Sequence, residues 1–177
     1  RQRQMCIRDR KVNQPIIRQA LASDLPRLLE IYNEEVEHGT ATFDTKPLSL
    51  EDRRVWFEAH NKDNHPLIVL EQDNTVWGYA SLSTFNAKPA YASSTELSVY
   101  VHKNARGLGY GQLLTQAILQ MAVGDPATHR VYSLITAENQ ASIALHRKLG
   151  FRLVGTITQA GKKFDRWLDV TYWEKAV

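Results

Sequence analysis

The sequence predicts an α/β (α+β) domain: one mixed, mostly antiparallel central sheet of about seven strands with helices on both faces. Three observations carry this. Strand and helix patterns follow one another in the order β-α-α-β-β-β-α-β-α-β-β. A short apolar run and a longer one, separated by Asp73-Asn74, make a hairpin. Two later strand-to-helix passages demand crossovers that cover the sheet.

The elements follow in order. Residues 16–20 read as a short first strand, and Ser23 or Asp24 then caps a helix with Leu25, Leu28, Leu29, Ile31, Tyr32 and Val36 on its apolar face. Pro26 sits in the first turn, where its missing N–H costs nothing, and Gly39 ends the helix. Residues 40–47 are a polar, β-branched loop suited to a cleft mouth. Ser49 and Asp52 form a capping box for a second helix running to about Asn61. The apolar run 67–70 suits a strand covered on both faces, and 76–84 is its hairpin partner. In residues 94–101, Leu97, Val99 and Val101 share one face, while Glu96, Ser98 and Tyr100 share the other. A helix over about 109–123, a strand at 130–136, a helix over about 141–149 and strands near 151–159 and 167–174 complete the chain.

At 177 residues, 43% hydrophobic and 23% charged, the chain suits a single domain with its own core, expected over 13–177. Residues 1–12 read as a disordered or non-native leader. The net charge of +3 is concentrated there: Arg1, Arg3, Arg8, Arg10 and Lys11 against Asp9 give +4, leaving −1 for the remainder. A nearly neutral body without aromatic platforms argues against a nucleic-acid partner. The one cysteine, Cys6, permits no intrachain disulfide, which suits a reducing, cytoplasmic compartment. The sequence contains no apolar run of about 18 residues, so no membrane partner is expected. The histidines are scattered without Cys or Asp at ligand spacing, so no metal is expected.

Arg106-Gly107-Leu108-Gly109-Tyr110-Gly111 lies between the alternating strand and a long amphipathic helix. Glycines let the backbone approach a ligand, and the helix start aims unpaired N–H groups and a positive dipole end at the same point. Arg106 adds a bidentate cation. No Gly-Lys-Ser/Thr follows, and the preceding strand does not open a dinucleotide βαβ unit, so a pyrophosphate ligand of another type is expected.

The run from Val99 through Leu114 resembles motif A of the GNAT superfamily of N-acetyltransferases, and the run from Asn139 to Phe151 resembles motif B. Within that superfamily the chain is similar to the phosphinothricin and methionine sulfoximine (methionine sulfone) acetyltransferases, from about Ile16 onward. Its narrower marks are Thr40-Ala41-Thr42-Phe43 with Pro47, Thr95-Glu96-Leu97-Ser98-Val99-Tyr100-Val101, Leu145-His146, and Gly161-Lys162-Lys163-Phe164 with Trp167-Leu168-Asp169. The resemblance implies a GNAT fold, acetyl-CoA as cosubstrate, a small amino-acid-like acceptor acetylated on its α-amine, and a homodimer.

An ammonium must lose its proton before attacking a thioester, and Glu96 matches the general base of the resembled group. A surface Glu paired to an Arg is the alternative reading of Glu96. His146 replaces the Tyr that many relatives use as general acid, and it suits catalysis or substrate positioning, with Tyr100 or Tyr110 the other candidates for protonating the thiolate. Backbone N–H groups of Val99 and Val101 are expected to hold the pantetheine arm and polarise the thioester. Arg106, Gly107, Leu108, Gly109, Tyr110 and Gly111 are expected on the pyrophosphate, and Asn139, Ser142 and Arg147 from the motif B helix complete the cofactor set. Thr42, Phe43, Phe85, Lys88, Tyr91 and Trp167 are the acceptor-pocket candidates, with Lys88, Arg53 or Arg54 available to a carboxylate. Two rival functions remain open: a protein or peptide N-acetyltransferase of the same fold, and a non-catalytic CoA-binding sensor.

Overall fold

The computed structural model describes residues 13–177; the segment read as a leader, with Cys6, lies outside them. Seven strands and four helices follow in the predicted order. They are β1 (Ile16–Gln19), α1 (Leu25–His38), α2 (Leu50–Glu58), β2 (Leu67–Gln72), β3 (Thr75–Thr84), β4 (Ser94–Val101), α3 (Tyr110–Gly124), β5 (Arg130–Thr136), α4 (Gln140–Lys148), β6 (Arg152–Lys163) and β7 (Arg166–Ala176). The sheet order is β1-β2-β3-β4-β5-β7-β6, and every neighbouring pair is antiparallel except β4 and β5.

Local chemistry fixes the ends. The amide of Asp52 donates to Ser49 Oγ at 3.1 Å and that of Ser49 to Asp52 Oδ2 at 3.3 Å, which is the predicted capping box of α2. Asp73 and Asn74 take φ of 51° and 61° in the β2–β3 turn, the left-handed pair that a two-residue hairpin needs. All four residues from Leu67 to Leu70 are buried, because β2 is covered on both faces. β6 and β7 run longer than their apolar patterns suggested, since most of the added residues pair with one another rather than with the core.

Two cores flank the sheet. Leu114, Ile118, Leu119 and Ile143 from α3 and α4 pack with Leu97, Val131, Ile135 and Trp173 on one face. Leu28 and Ile31 of α1 pack with Val69, Val76 and Tyr79 on the other, joined by Trp56, Phe57 and Tyr100. Trp173 is 2% exposed and its indole N–H donates to Thr171 Oγ1, so it belongs to the core of this chain.

Candidate active site

The site begins where two strands part. β4 is paired to β3 from Thr95 to Val101, yet to β5 only through residues 94–96 opposite 130–132. Beyond Glu96 the two parallel strands diverge. The amide of His102 donates to Trp77 O at 2.8 Å, which fixes the parity of the strand. Tyr100 and Ser98 direct their N–H groups at β3, while Val99 and Val101 direct theirs into the opening. These are the two backbone donors expected there, and their side chains pack against the α3 core.

A cleft of about 740 Å³ runs from this opening to the start of α3, bounded by Val99, Val101, Arg106, Gly111, Asn139 and Ser142. Gly107 and Gly109 have φ of 79° and 80°, a conformation that disfavours any side chain, and the space beside each is open. The first helical hydrogen bond of α3 runs from Leu113 N to Gly109 O, so the amides of Tyr110, Gly111 and Gln112 have no intrahelical partner. Gly109 supplies no side-chain cap. The arrangement is a cradle for anionic oxygens. Arg106 lies at its edge, with Nη2 donating to Glu35 Oε2 at 3.2 Å. The Tyr110 side chain turns the other way, into the core, where its hydroxyl donates to Gln72 Oε1, so Tyr110 offers the cradle its backbone alone.

Glu96 stands at the apex of the fork. Among the described residues no hydrogen bond or ion pair involves its carboxylate, and burial raises its pKa above the ordinary glutamate value. The reading of Glu96 as half of a surface ion pair therefore fails. Tyr100, four residues further along β4 on the same face, lines both that cleft and a second cavity that Glu96 also lines. Its ring meets Tyr32 edge-on at 5.4 Å and Tyr79 at 5.5 Å, and burial pushes its phenol well above the usual value.

His146 is 5% exposed and both of its ring nitrogens are engaged. Nδ1 is 2.7 Å from the Ser142 carbonyl, which can only accept, so Nδ1 carries the proton. Nε2 must then accept from Ser133 Oγ at 2.9 Å. Burial lowers the pKa, keeping the ring neutral. Asn139 caps α4, its Oδ1 accepting from Ser142 N at 3.2 Å, while lining the cleft as well. Arg147 is directed elsewhere, its guanidinium 5.2 Å above the Trp173 ring.

The acceptor candidates divide. Thr42 and Phe43 line a cavity of about 370 Å³ with Glu96, Tyr100, Thr136 and Tyr172. Phe85 stacks on Tyr132 at 4.4 Å and meets Tyr91 at 5.9 Å, a separate aromatic group that lines none of the clefts around Glu96. Lys88 and Trp167 are exposed outside those clefts as well. Arg53 is buried, its guanidinium 3.5 Å above Trp56 and 4.1 Å above Tyr32, and it lines none of the cavities around Glu96. Glu35, Ala41, Ser133, Thr136 and Tyr172 are site residues that sequence reasoning missed. Glu35 and Tyr172 carry no signal in the sequence, because each reaches the site from an otherwise ordinary helix or strand.

Among the described residues no group of three His, Cys, Asp or Glu side chains is placed to hold a metal ion, and no helix is long and apolar enough to cross a membrane.

Comparison with known proteins converges on one family. Residues 17–172 match the acetyltransferase (GNAT) domain. The phosphinothricin N-acetyltransferase of Streptomyces coelicolor is 39% identical over 162 residues, covering 90% of this chain and 94% of that protein. The L-methionine sulfoximine/L-methionine sulfone acetyltransferase of Pseudomonas paraeruginosa is 38% identical over 159 residues, covering 89% and 92%. Among solved structures, ribosomal-protein-alanine N-acetyltransferase from Brucella melitensis superposes with a TM-score of 0.88 at 42% identity, covering 92% of this chain and 99% of that one. A phosphinothricin acetyltransferase from Sinorhizobium meliloti in complex with acetyl-CoA does so with 0.87 at 32% identity, covering 92% and 88%. With its forked sheet, glycine cradle and matching relatives, the chain belongs to the GNAT acetyltransferase family.

Proposed function

We propose that the enzyme transfers the acetyl group of acetyl-CoA to the α-amine of a small amino-acid-like acceptor, of the phosphinothricin, methionine sulfoximine or methionine sulfone type, by direct attack in a ternary complex. The observation that carries the reading is Glu96: a half-buried carboxylate without a partner among the described residues, lining both the cavity beside Thr42 and Phe43 and a small pocket in the fork that shares Val99, Tyr100, Asn139 and Ser142 with the larger cleft. In this reading the amides of Tyr110, Gly111 and Gln112 and the Arg106 guanidinium bind the pyrophosphate. The Val99 and Val101 amides hold the pantetheine arm and polarise the thioester carbonyl. The acceptor ammonium enters beside Thr42, Phe43 and Tyr172, Glu96 takes its proton directly or through water, and the amine attacks the carbonyl carbon as the C–S bond breaks. The leaving thiolate takes its proton from Tyr100 or water. His146 is a positioning residue, because its Nδ1–H and Nε2 lone pair are committed to Ser142 and Ser133.

The names of the relatives support the acceptor class, and the compact size of the cavity agrees with it. The likeness to a ribosomal-protein-alanine N-acetyltransferase supports a second reading, a protein amino terminus with alanine as acceptor. Residues 13–177 act as a single catalytic domain. A homodimer is supported by exposed apolar side chains on the closing hairpin, Val154, Ile157 and Trp167 being 55%, 48% and 60% exposed. A reducing, cytoplasmic setting suits a chain with one cysteine.

Thiol release from acetyl-CoA tests the proposal against phosphinothricin, methionine sulfoximine, methionine sulfone, the common amino acids and peptides with amino-terminal alanine. Turnover with a tetrahedral-side-chain amino acid is expected. Turnover with the peptides alone would transfer the assignment to the second reading, and acetyl-CoA binding without turnover of any acceptor would favour a sensor.

A further inference from the structure

The last residues of β6, 160–163, take no part in the reaction as drawn above, yet they touch the loop that walls the acceptor cavity at two points. The strand reaches them through a register shift between Ile157 and Gly161, with Gln159 at φ 52° and its amide tied to Asp169 Oδ1 at 2.7 Å. Within that bulge Ala160 lines the cavity beside Thr42 and Phe43.

The first point is Gly161. A Cβ there would lie 2.5 Å from Phe43 Cδ2 and closer still to Cε2. Gly161 is not in the left-handed region, so any residue could adopt its backbone conformation. What it supplies is space: the Phe43 ring occupies the position that a side chain at residue 161 would need.

The second point is Lys163. It is 4% exposed, and its ammonium donates to Thr42 O at 2.9 Å and Glu35 O at 3.3 Å. Among the described residues no backbone–backbone hydrogen bond holds residues 40–44, and side chains make the bonds that fix this stretch. Thr136 Oγ1 grips Thr40 O at 2.6 Å, Tyr32 and Thr42 share a hydroxyl contact at 2.8 Å, and Lys163 grips the Thr42 carbonyl immediately before Phe43.

We propose that Gly161 and Lys163 set acceptor specificity: Lys163 fixes the height of the loop over Glu96, and Gly161 receives the Phe43 ring and keeps it out of the acceptor cavity. The proposal rests on the reading of that cavity as the acceptor site. It makes β6 a ruler for acceptor length, acting through Phe43 with no contact to the reacting atoms.

The experiment uses the full chain and three acceptors that differ by one carbon: S-methylcysteine sulfone, methionine sulfone and ethionine sulfone. In Gly161→Ala the displaced ring is expected to raise KM for the longer acceptors by about tenfold relative to the shortest, the scale one methylene commands in a shaped pocket, with KM for acetyl-CoA unchanged. Phe43→Ala alone should shift preference toward ethionine sulfone, and Phe43→Ala combined with Gly161→Ala should restore the longer acceptors. Lys163→Met should raise KM for all three acceptors while leaving that for acetyl-CoA within about twofold of wild type. Should Gly161→Ala fail to fold, Phe43→Ala and Lys163→Met decide. An acceptor ranking unchanged in every folded Gly161 and Phe43 variant, or acceptor KM values unchanged in Lys163→Met, would overturn the proposal, while wild-type turnover with the sulfones keeps the enzyme assignment. Absence of wild-type turnover with any of the three would sink the acceptor reading and this proposal with it.

Discussion

Replacing Glu96 with glutamine removes one proton acceptor and almost nothing else. The two side chains have the same shape, and the carboxylate forms no hydrogen bond or ion pair among the described residues that the amide would lose. A positioned general base contributes about 10² to 10⁴ in rate, or about 3 to 5 kcal/mol of barrier, and kcat should fall by that factor. KM for acetyl-CoA should stay within about threefold of wild type, since the glycine cradle is untouched. Stability gives an independent check of sign. Burial raises the folded pKa of Glu96 above its unfolded value of about 4.3, so between those values the folded state binds more protons. Stability attributable to this group therefore falls as pH rises through that window, and the deficit persists at neutral pH. Glu96→Gln abolishes it, so the variant should unfold at the same temperature as wild type at pH 7, or a higher one. The assays are thiol release across pH 5–9 and thermal unfolding. Wild-type kcat/KM should show an acidic limb centred above the ordinary glutamate pKa, and the variant should lack it. Activity within fivefold of wild type, or an acidic limb that survives the substitution, would refute Glu96 as the base. A large loss of stability would instead recast it as a structural residue.

Arg106→Ala should raise KM for acetyl-CoA by about tenfold to a hundredfold, from the loss of a charge-assisted hydrogen bond of about 1.5 to 3 kcal/mol, with the acceptor KM unmoved in steady-state kinetics. Gly109→Ala forces a side chain into φ 80° and should cost about 1 to 2 kcal/mol in denaturant unfolding, together with weaker cofactor binding, because the cradle must shift. Leu114 is fully buried in the α3 core, and Leu114→Ala should destabilise by about 2 to 5 kcal/mol in the same assay. Burial lowers the pKa of His60 and His146, so the unfolded state binds more protons below its own value of about 6.5, and the unfolding temperature should drop as pH falls from 7 to 5.

Apolar periodicity, caps and turns announced the elements because each depends on residues close in sequence. The box of Ser49 and Asp52, the Asp73-Asn74 turn and the buried run of β2 are local events, and they stand where the sequence puts them. The cradle was legible for the same reason, since three glycines and a helix start act within six residues. Glu96 was legible as a residue type on one face of an alternating strand, but its lack of a partner was not, because that depends on everything packed around the fork. His146 shows the limit more sharply: the acid–base chemistry of its side chain is a property of histidine, whereas its neutrality here comes from a helical carbonyl and from Ser133 on another strand. Phe85, Lys88, Tyr91 and Trp167 were drawn to the cavity by being aromatic or basic residues in loops or at strand starts, and the fold places them elsewhere. Arg53 passed for an exposed cation, and only the approach of Tyr32 and Trp56 from separate positions encloses it. The sequence by itself determined the order of elements, the glycine-rich turn at the start of α3 and the place of the Glu96 carboxylate on its strand. The tertiary structure decided which groups are desolvated, which are already bonded and which loop covers the site, because desolvation and long-range hydrogen bonding depend on neighbours that are distant along the chain.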